Sequence, residues 1–188
     1  MKLFGISGTN GSGKDTVGQM LAERHNYLFV SGSDILRAEA SKRGLPVERE
    51  VLRTISAEWR RESGLGVLID KAVAVFNAEP GKYSGLVVAS LRNPGEVVRV
   101  HELGGQVIWV DADPKTRYDR IFSRQRTDED KKTFDQFCEE EAAEMAHSGD
   151  EATLNMSGVK DISDIFLANE GDDKDAFMTA SDQALNLN

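Results

Sequence analysis

Apolar and polar positions along this chain fall into two alternating patterns. Residues 3–7, 27–30, 86–89, 107–110 and 165–167 form short, almost wholly apolar runs rich in β-branched side chains. Such runs suit strands that are covered on both faces. Residues 17–25, 35–42, 47–61 and 65–76 instead carry apolar residues at helical spacing, and two further helical patterns open at Pro94 and Pro114, where proline fits a first turn. Ser33-Asp34 reads as the cap of the helix 35–42, and Gly44-Leu45-Pro46 and Ser63-Gly64 read as turns. The acidic stretch 170–175 reads as a surface loop and 180–188 as a short terminal helix. Strands that alternate with helices predict an α/β fold, a three-layer α/β/α arrangement around a central parallel sheet of five strands, with ligands at the carboxyl ends of the strands.

The chemistry concentrates at one of those ends. Gly8-Thr9-Asn10-Gly11-Ser12-Gly13-Lys14-Asp15-Thr16 has the G-x-x-x-x-G-K spacing directly between a predicted strand and a predicted helix. Glycines let the backbone wrap close to an anion, so that successive N–H groups and the helix N-terminus face phosphate oxygens. Lys14 adds a full charge where β- and γ-phosphates would lie. The position after the lysine is Asp15 rather than Ser or Thr, with a hydroxyl only at Thr16. Either the Asp15 carboxylate holds Mg²⁺, directly or through water, or it caps the helix.

Length and charge narrow the picture. With 188 residues, 39% of them hydrophobic, residues 1–188 suit one domain around a single core. The net charge of −9 argues against non-specific nucleic-acid binding, so an anionic ligand must meet a local basic pocket. The first apolar stretch is too short for a signal segment or a membrane span, and one cysteine, Cys138, forms no internal disulfide; both point to a cytoplasmic protein with no membrane partner. Arg117, Arg120, Arg124 and Arg126 precede a polar stretch that reads as a small lid over about 124–133. The run Glu139-Glu140-Glu141 with Glu144 reads as a solvated helix face rather than a metal site. His25, His101 and His147 show no metal-ligand spacing, and Trp109 within a strand reads as core.

With Ser31-Gly32-Ser33-Asp34-Ile35-Leu36-Arg37-Ala38 added to the cradle, the chain resembles the nucleoside monophosphate kinases, adenylate kinase among them. Gly13-Lys14-Asp15-Thr16 and Leu91-Arg92-Asn93-Pro94-Gly95-Glu96 look closer still to deoxynucleotide-kinase-like and dephospho-CoA-kinase-like ATPases. Asp111-Ala112-Asp113-Pro114 with the downstream arginines is similar to the approach to the lid in both groups. The likeness covers roughly residues 2 to 126 and implies the P-loop NTPase fold and an ATP-dependent kinase. ATP would lie on Gly8, Asn10, Gly11, Ser12, Gly13, Lys14, Asp15 and Thr16, with Mg²⁺ at Asp15 and Thr16. Acceptor helices would span about 34–79. Arg37 and Arg92 would grip the acceptor's phosphate, Asp34 would orient the acceptor or support Mg²⁺, and Arg120, Arg124 and Arg126 would join Lys14 in offsetting transition-state charge. The partners implied are small nucleotides, with the protein a monomer or homodimer. The family often carries an Asp near the end of the third strand, where this chain has Ala89-Ser90. Nothing in the residues separates a nucleoside monophosphate acceptor from dephospho-CoA, or a kinase from an ATP-binding regulatory switch.

Overall fold

The computed structural model describes residues 1–124, 132–146 and 149–187, without the side chain of Arg124. Strands β1 (Lys2–Gly8), β2 (Tyr27–Ser31), β3 (Gly85–Ala89), β4 (Gln106–Asp111) and β5 (Ile165–Ala168) alternate with helices α1 (Lys14–His25), α2 (Gly32–Lys42), α3 (Arg49–Ser63), α4 (Val67–Asn77), α5 (Pro94–Glu102), α6 (Pro114–Arg124), α7 (Phe134–Met145), α8 (Met156–Asp161) and α9 (Lys174–Ala184). The strands form one parallel sheet in the order β2-β3-β1-β4-β5. The predicted α/β class and five-stranded parallel sheet are therefore what the chain builds.

Period-two alternation sorts the strand residues onto two faces. Val87, Ala89, Ile108 and Val110 pack on one side with Val17, Met20 and Leu21 of α1 and Phe177 and Met178 of α9. Leu86, Val88, Val107 and Trp109 pack on the other with Ile69 of α4, Val97 and Val100 of α5, and Val159 of α8. Both faces are dry, which is why these strands read as continuous apolar runs. A third cluster, with Leu36, Ala40, Ile55, Trp59, Val67 and Leu68, joins α2, α3 and α4 into a unit beside the sheet.

Two boundaries differ from the sequence reading. Ser31, not Ser33-Asp34, is the residue that precedes α2, in extended conformation, so Asp34 lies inside the first turn. The strand passes straight into the helix there, with β2 ending at Ser31 and α2 beginning at Gly32. Near the C-terminus the helix begins at Lys174 rather than near 180. Asp173 caps it, accepting from the Ala176 N–H at 2.9 Å, and Phe177 and Met178 supply the apolar face that anchors it.

One buried ion pair fastens the helices beside the sheet. Arg60 of α3 and Glu96 of α5 are 2% and 1% exposed and meet at 2.7 Å. Arg60 also donates to the Ala152 carbonyl at 3.0 Å. The second Glu96 oxygen accepts from the backbone N–H groups of Arg92 and Asn93 at 2.7 and 3.2 Å. Removing one member of such a pair strands the other charge away from water, at a cost of about 3–5 kcal/mol. Glu96→Gln is expected to lose about that much in denaturant unfolding at neutral pH, while the double change Arg60→Met, Glu96→Leu loses less. Equal losses in both would show that packing rather than stranded charge dominates.

Candidate active site

The cradle follows β1 and enters α1. Gly8, Gly11 and Gly13 have φ of 144°, 80° and 97°, a region L side chains rarely adopt. Space forbids them as well: a Cβ on Gly8 would meet the Val110 carbonyl, and one on Gly13 the Asn169 amide. The turn is pinned from two neighbouring strand ends. Thr9 donates its hydroxyl to Asp111 at 2.7 Å, and the Asn169 amide donates to the Ser12 carbonyl at 2.8 Å. Gly8 and Ser12 are buried behind the loop, while Asn10, Gly11, Gly13, Lys14, Asp15 and Thr16 line a cleft of about 580 Å³.

The opposite wall is basic. Arg37 of α2, Arg49, Arg53 and Arg60 of α3, and Arg92 after β3 all line the same cleft, with Leu36, Leu52 and Leu68 between them as an apolar floor. Arg49, Arg53, Ser56 and Arg60 recur at intervals of three and four, so α3 turns one face to the cleft. Arg92 stands on the short connection from β3 to α5. Its base is fixed by Glu96 and by Asn93, whose side chain accepts from Gly95 N–H at 2.8 Å and donates to the Glu151 and Thr153 carbonyls at 2.7 and 2.8 Å. Ser90, also on the lining, holds φ at 70°. That conformation in a non-glycine residue costs energy and clusters at functional sites.

Other residues singled out from sequence take different places. Asp34 is 70% exposed and accepts from Arg37 at 2.6 Å; the cleft is lined by Ser33 and Arg37 around it. Arg120 donates to the carbonyls of Asn169 at 2.9 Å and Gly171 at 2.6 Å, tying α6 to the loop after β5. Arg117 is buried against α7, where both of its terminal nitrogens bond to Glu141. The side chain of Arg124, together with Arg126, His147 and the lid up to residue 131, lies outside the described residues. Trp109 is core at 1% exposure, and Cys138 is half-buried.

The acidic helix α7 corrects the sequence reading of a solvated face at Glu141 and Glu144, while Glu139 and Glu140 are exposed. Besides Glu141 on Arg117, Glu144 reaches into the cleft wall, accepting from Arg53 at 2.9 Å and from Arg92 at 3.0 Å. Its partners lie 91 and 52 residues away, so spacing within the run could not announce them. Burial pushes the Glu144 carboxyl up, and Arg92, Arg53 and Arg49 together more than reverse this, holding it below the ordinary carboxylate range. Arg49, Arg53, Arg60 and Glu144 are the site residues that the sequence reading missed. For the arginines a signal existed, the basic stripe on α3; for Glu144 there was none.

Among the described residues, no group of three or more His, Cys, Asp and Glu side chains is placed to hold a metal. The Asp15 carboxylate and Thr16 hydroxyl at the cleft still suit Mg²⁺, which takes one or two carboxylates and keeps waters and phosphates for its other positions.

A parallel sheet of this order with a glycine cradle at its carboxyl edge defines a P-loop nucleotide-binding fold of the kinase-like kind. A family model described as an AAA domain, AAA_18, matches residues 5–147. An UPF0200 protein of Methanococcus maripaludis strain C6 is 32% identical over 177 residues, covering 91% of this chain and 89% of that protein. One from Pyrobaculum aerophilum is 33% identical over 147 residues, covering 77% and 78%. The chain therefore belongs to the AAA_18 family and, among named proteins, to the UPF0200 group. In fold it is similar to a shikimate kinase from Bacteroides thetaiotaomicron, with a TM-score of 0.60 at 12% identity over 99% of this chain and 98% of that one. A gluconokinase from Sinorhizobium meliloti 1021 gives 0.54 at 14% identity over 99% and 92%. Among the described residues, no helix is long and apolar enough to cross a membrane.

The lowered Glu144 pKa has a pH signature. A carboxyl that ionises more readily in the fold stabilises it fully above the unfolded value, near 4.5, and loses that contribution as pH falls through the folded value. Wild type is expected to exceed Glu144→Gln by about 1–3 kcal/mol near pH 7, as charge-assisted bonds in a half-exposed wall allow. The gap should stay level down to about pH 5 and narrow below 4.5. Paired urea titrations from pH 8 to 3 check this; a gap that widens in acid would place the carboxyl's pKa above its ordinary value.

Proposed function

We propose that this chain is an ATP-dependent phosphotransferase whose acceptor is a small nucleotide-type molecule, a nucleoside or deoxynucleoside monophosphate first. What carries the reading is a single cleft that joins the cradle at Lys14 to the guanidinium groups of Arg37, Arg53 and Arg92 on the facing wall. One end suits a triphosphate and the other an anionic acceptor, and phosphoryl transfer requires the two to meet in line.

In this reading the ATP phosphates lie along Gly8 to Thr16, and the cradle's N–H groups and Lys14 draw off charge as the acceptor oxygen attacks the γ-phosphorus and ADP leaves. Asp15 and Thr16 would hold Mg²⁺, which when bound would neutralise part of the phosphates' charge. Arg92 and Arg37 hold the acceptor's existing phosphate. Asp34 acts through its bond to Arg37 and positions it, and Arg120 acts by holding the loop after β5 against the cradle. Arg124 and Arg126 are proposed to supply further positive charge when substrates are bound. The P-loop and the basic wall serve equally for a dephospho-CoA acceptor, whose ribose hydroxyl would take the phosphoryl group.

Incubation with ATP, Mg²⁺ and a panel of nucleoside monophosphates, deoxynucleoside monophosphates and dephospho-CoA is expected to give stoichiometric product with at least one acceptor. ATP binding with slow hydrolysis and no product from any of them would favour a regulatory nucleotide switch. With the acceptor found, Lys14→Ala is expected to lower kcat at least about a hundredfold while unfolding free energy moves by less than about 1 kcal/mol. Arg92→Ala should mainly raise the acceptor's KM, by about ten- to a hundredfold for one lost charge-assisted bond, and leave ATP affinity nearly intact. If Arg92→Ala weakened ATP and spared the acceptor, the two ends of the cleft would be exchanged.

A further inference from the structure

The Glu144 carboxylate is placed like a ligand. It comes from α7, outside the α2–α3–α4 unit, and ends between two guanidinium groups from different elements, Arg53 of α3 and Arg92 after β3. Each of its oxygens takes one arginine, the bridging geometry that a phosphate monoester would use between the same two cations. All three side chains line the cleft that also holds Lys14, so the carboxylate is seated inside the binding volume rather than on the outer surface. Glu144 is 16% exposed, whereas Glu140, one turn earlier on α7, is 45% exposed, sits 3.6 Å from Arg49 and bonds to Lys132.

We propose that Arg53 and Arg92 form the acceptor's anion seat and that Glu144 is its built-in occupant, displaced when a phosphate monoester arrives. The proposal rests on reading this wall as the acceptor side, and it adds Arg53 as an anion-holding residue and Glu144 as a competitor that lowers apparent affinity. An intramolecular carboxylate competes at high effective concentration. The seat is then open only in the fraction of molecules where Glu144 has swung out, and apparent affinity falls by that fraction. Removing the charge opens the seat. The same change weakens the fold, because Glu144 ties α7 to α3. Stability and anion affinity should therefore move in opposite directions, which a purely structural ion pair does not require.

The test uses the full chain with methyl phosphate as probe at pH 8, without ATP, titrated by the shifts of the arginine side-chain N–H signals. Glu144→Gln, nearly isosteric, is expected to bind methyl phosphate about tenfold more tightly than wild type or better. Glu140→Gln removes the same charge from the same helix without vacating the seat and should gain less than twofold. Adding Arg53→Gln to Glu144→Gln should cancel the gain. An affinity in Glu144→Gln that is unchanged or weaker, in a protein still folded by its melting curve, overturns the proposal; so does an equal gain in Glu140→Gln, which would reduce the effect to general charge. Binding is read here without turnover, so a chain that fails the kinase panel can still pass, and one that phosphorylates an acceptor can still fail.

Discussion

Arg60 and Glu96 leave water together, and the geometry of the basic wall hangs on their doing so. In the protein interior neither ion is tolerable alone, so α3 and α5 must approach until the two meet. The contact does more than join two helices. Because the second Glu96 oxygen takes the Arg92 and Asn93 backbone N–H groups, the connection after β3 is drawn to the same point, and Arg92 projects from a fixed base. Arg60 shares its face of α3 with Arg49 and Arg53, which line the cleft, while Ile55 and Trp59 pack the helix against α2 and α4. One buried pair thus joins two cation-bearing elements that the sheet alone would leave independent.

The cradle obeys a different constraint, that of space. Its loop is squeezed between the end of β4 and the loop after β5, so that Val110, Arg117 and Asn169 would each touch a side chain introduced at Gly8, Gly11 or Gly13. A loop packed this tightly is preorganised, and it reaches its anion-binding shape without paying to order itself at the moment of binding. Asp111 contributes from the next strand by holding Thr9 and, through Oδ1, its own following N–H. The parallel order of the strands brings these supports to one edge, and the site is where the sheet's connections diverge on either side of β1.

These two constraints explain what could be read in the sequence. The glycine spacing, the apolar runs and the α/β alternation are local, and each has a local physical cause, so the fold and the cradle were legible from residues 3–16 and the later runs alone. Arg37 was legible through the family resemblance of residues 31–38, and Arg92 because it stands just after the third strand. The α3 arginines were half legible, since their three- and four-residue spacing marks a face but not which way it turns; that direction follows from contacts distant in sequence, among them Arg60 with Glu96, 36 residues away, and the packing of Ile55 and Trp59. The acidic run on α7 misled because a row of glutamates looks the same whether it meets water or arginines from elsewhere in the chain. Asp34 was legible as a residue just past a strand end, but its exposure on the first turn of α2 and its bond to Arg37 were not.

On the proposed function an acidic chain faces an electrostatic conflict, since its net charge of −9 would repel the anion it has to admit. Gathering Arg37, Arg49, Arg53, Arg60 and Arg92 on one concave wall answers this, because a cleft concentrates their field. Arginines gathered so closely also repel one another, and without a ligand they would destabilise the wall that carries them. A carboxylate on a neighbouring helix relieves that repulsion in the empty state. Its reward ends when a phosphate takes over the same two guanidinium groups, so the resting fold and the loaded site draw on one set of charges. On the proposed reading, counterion and ligand are then alternatives rather than additions.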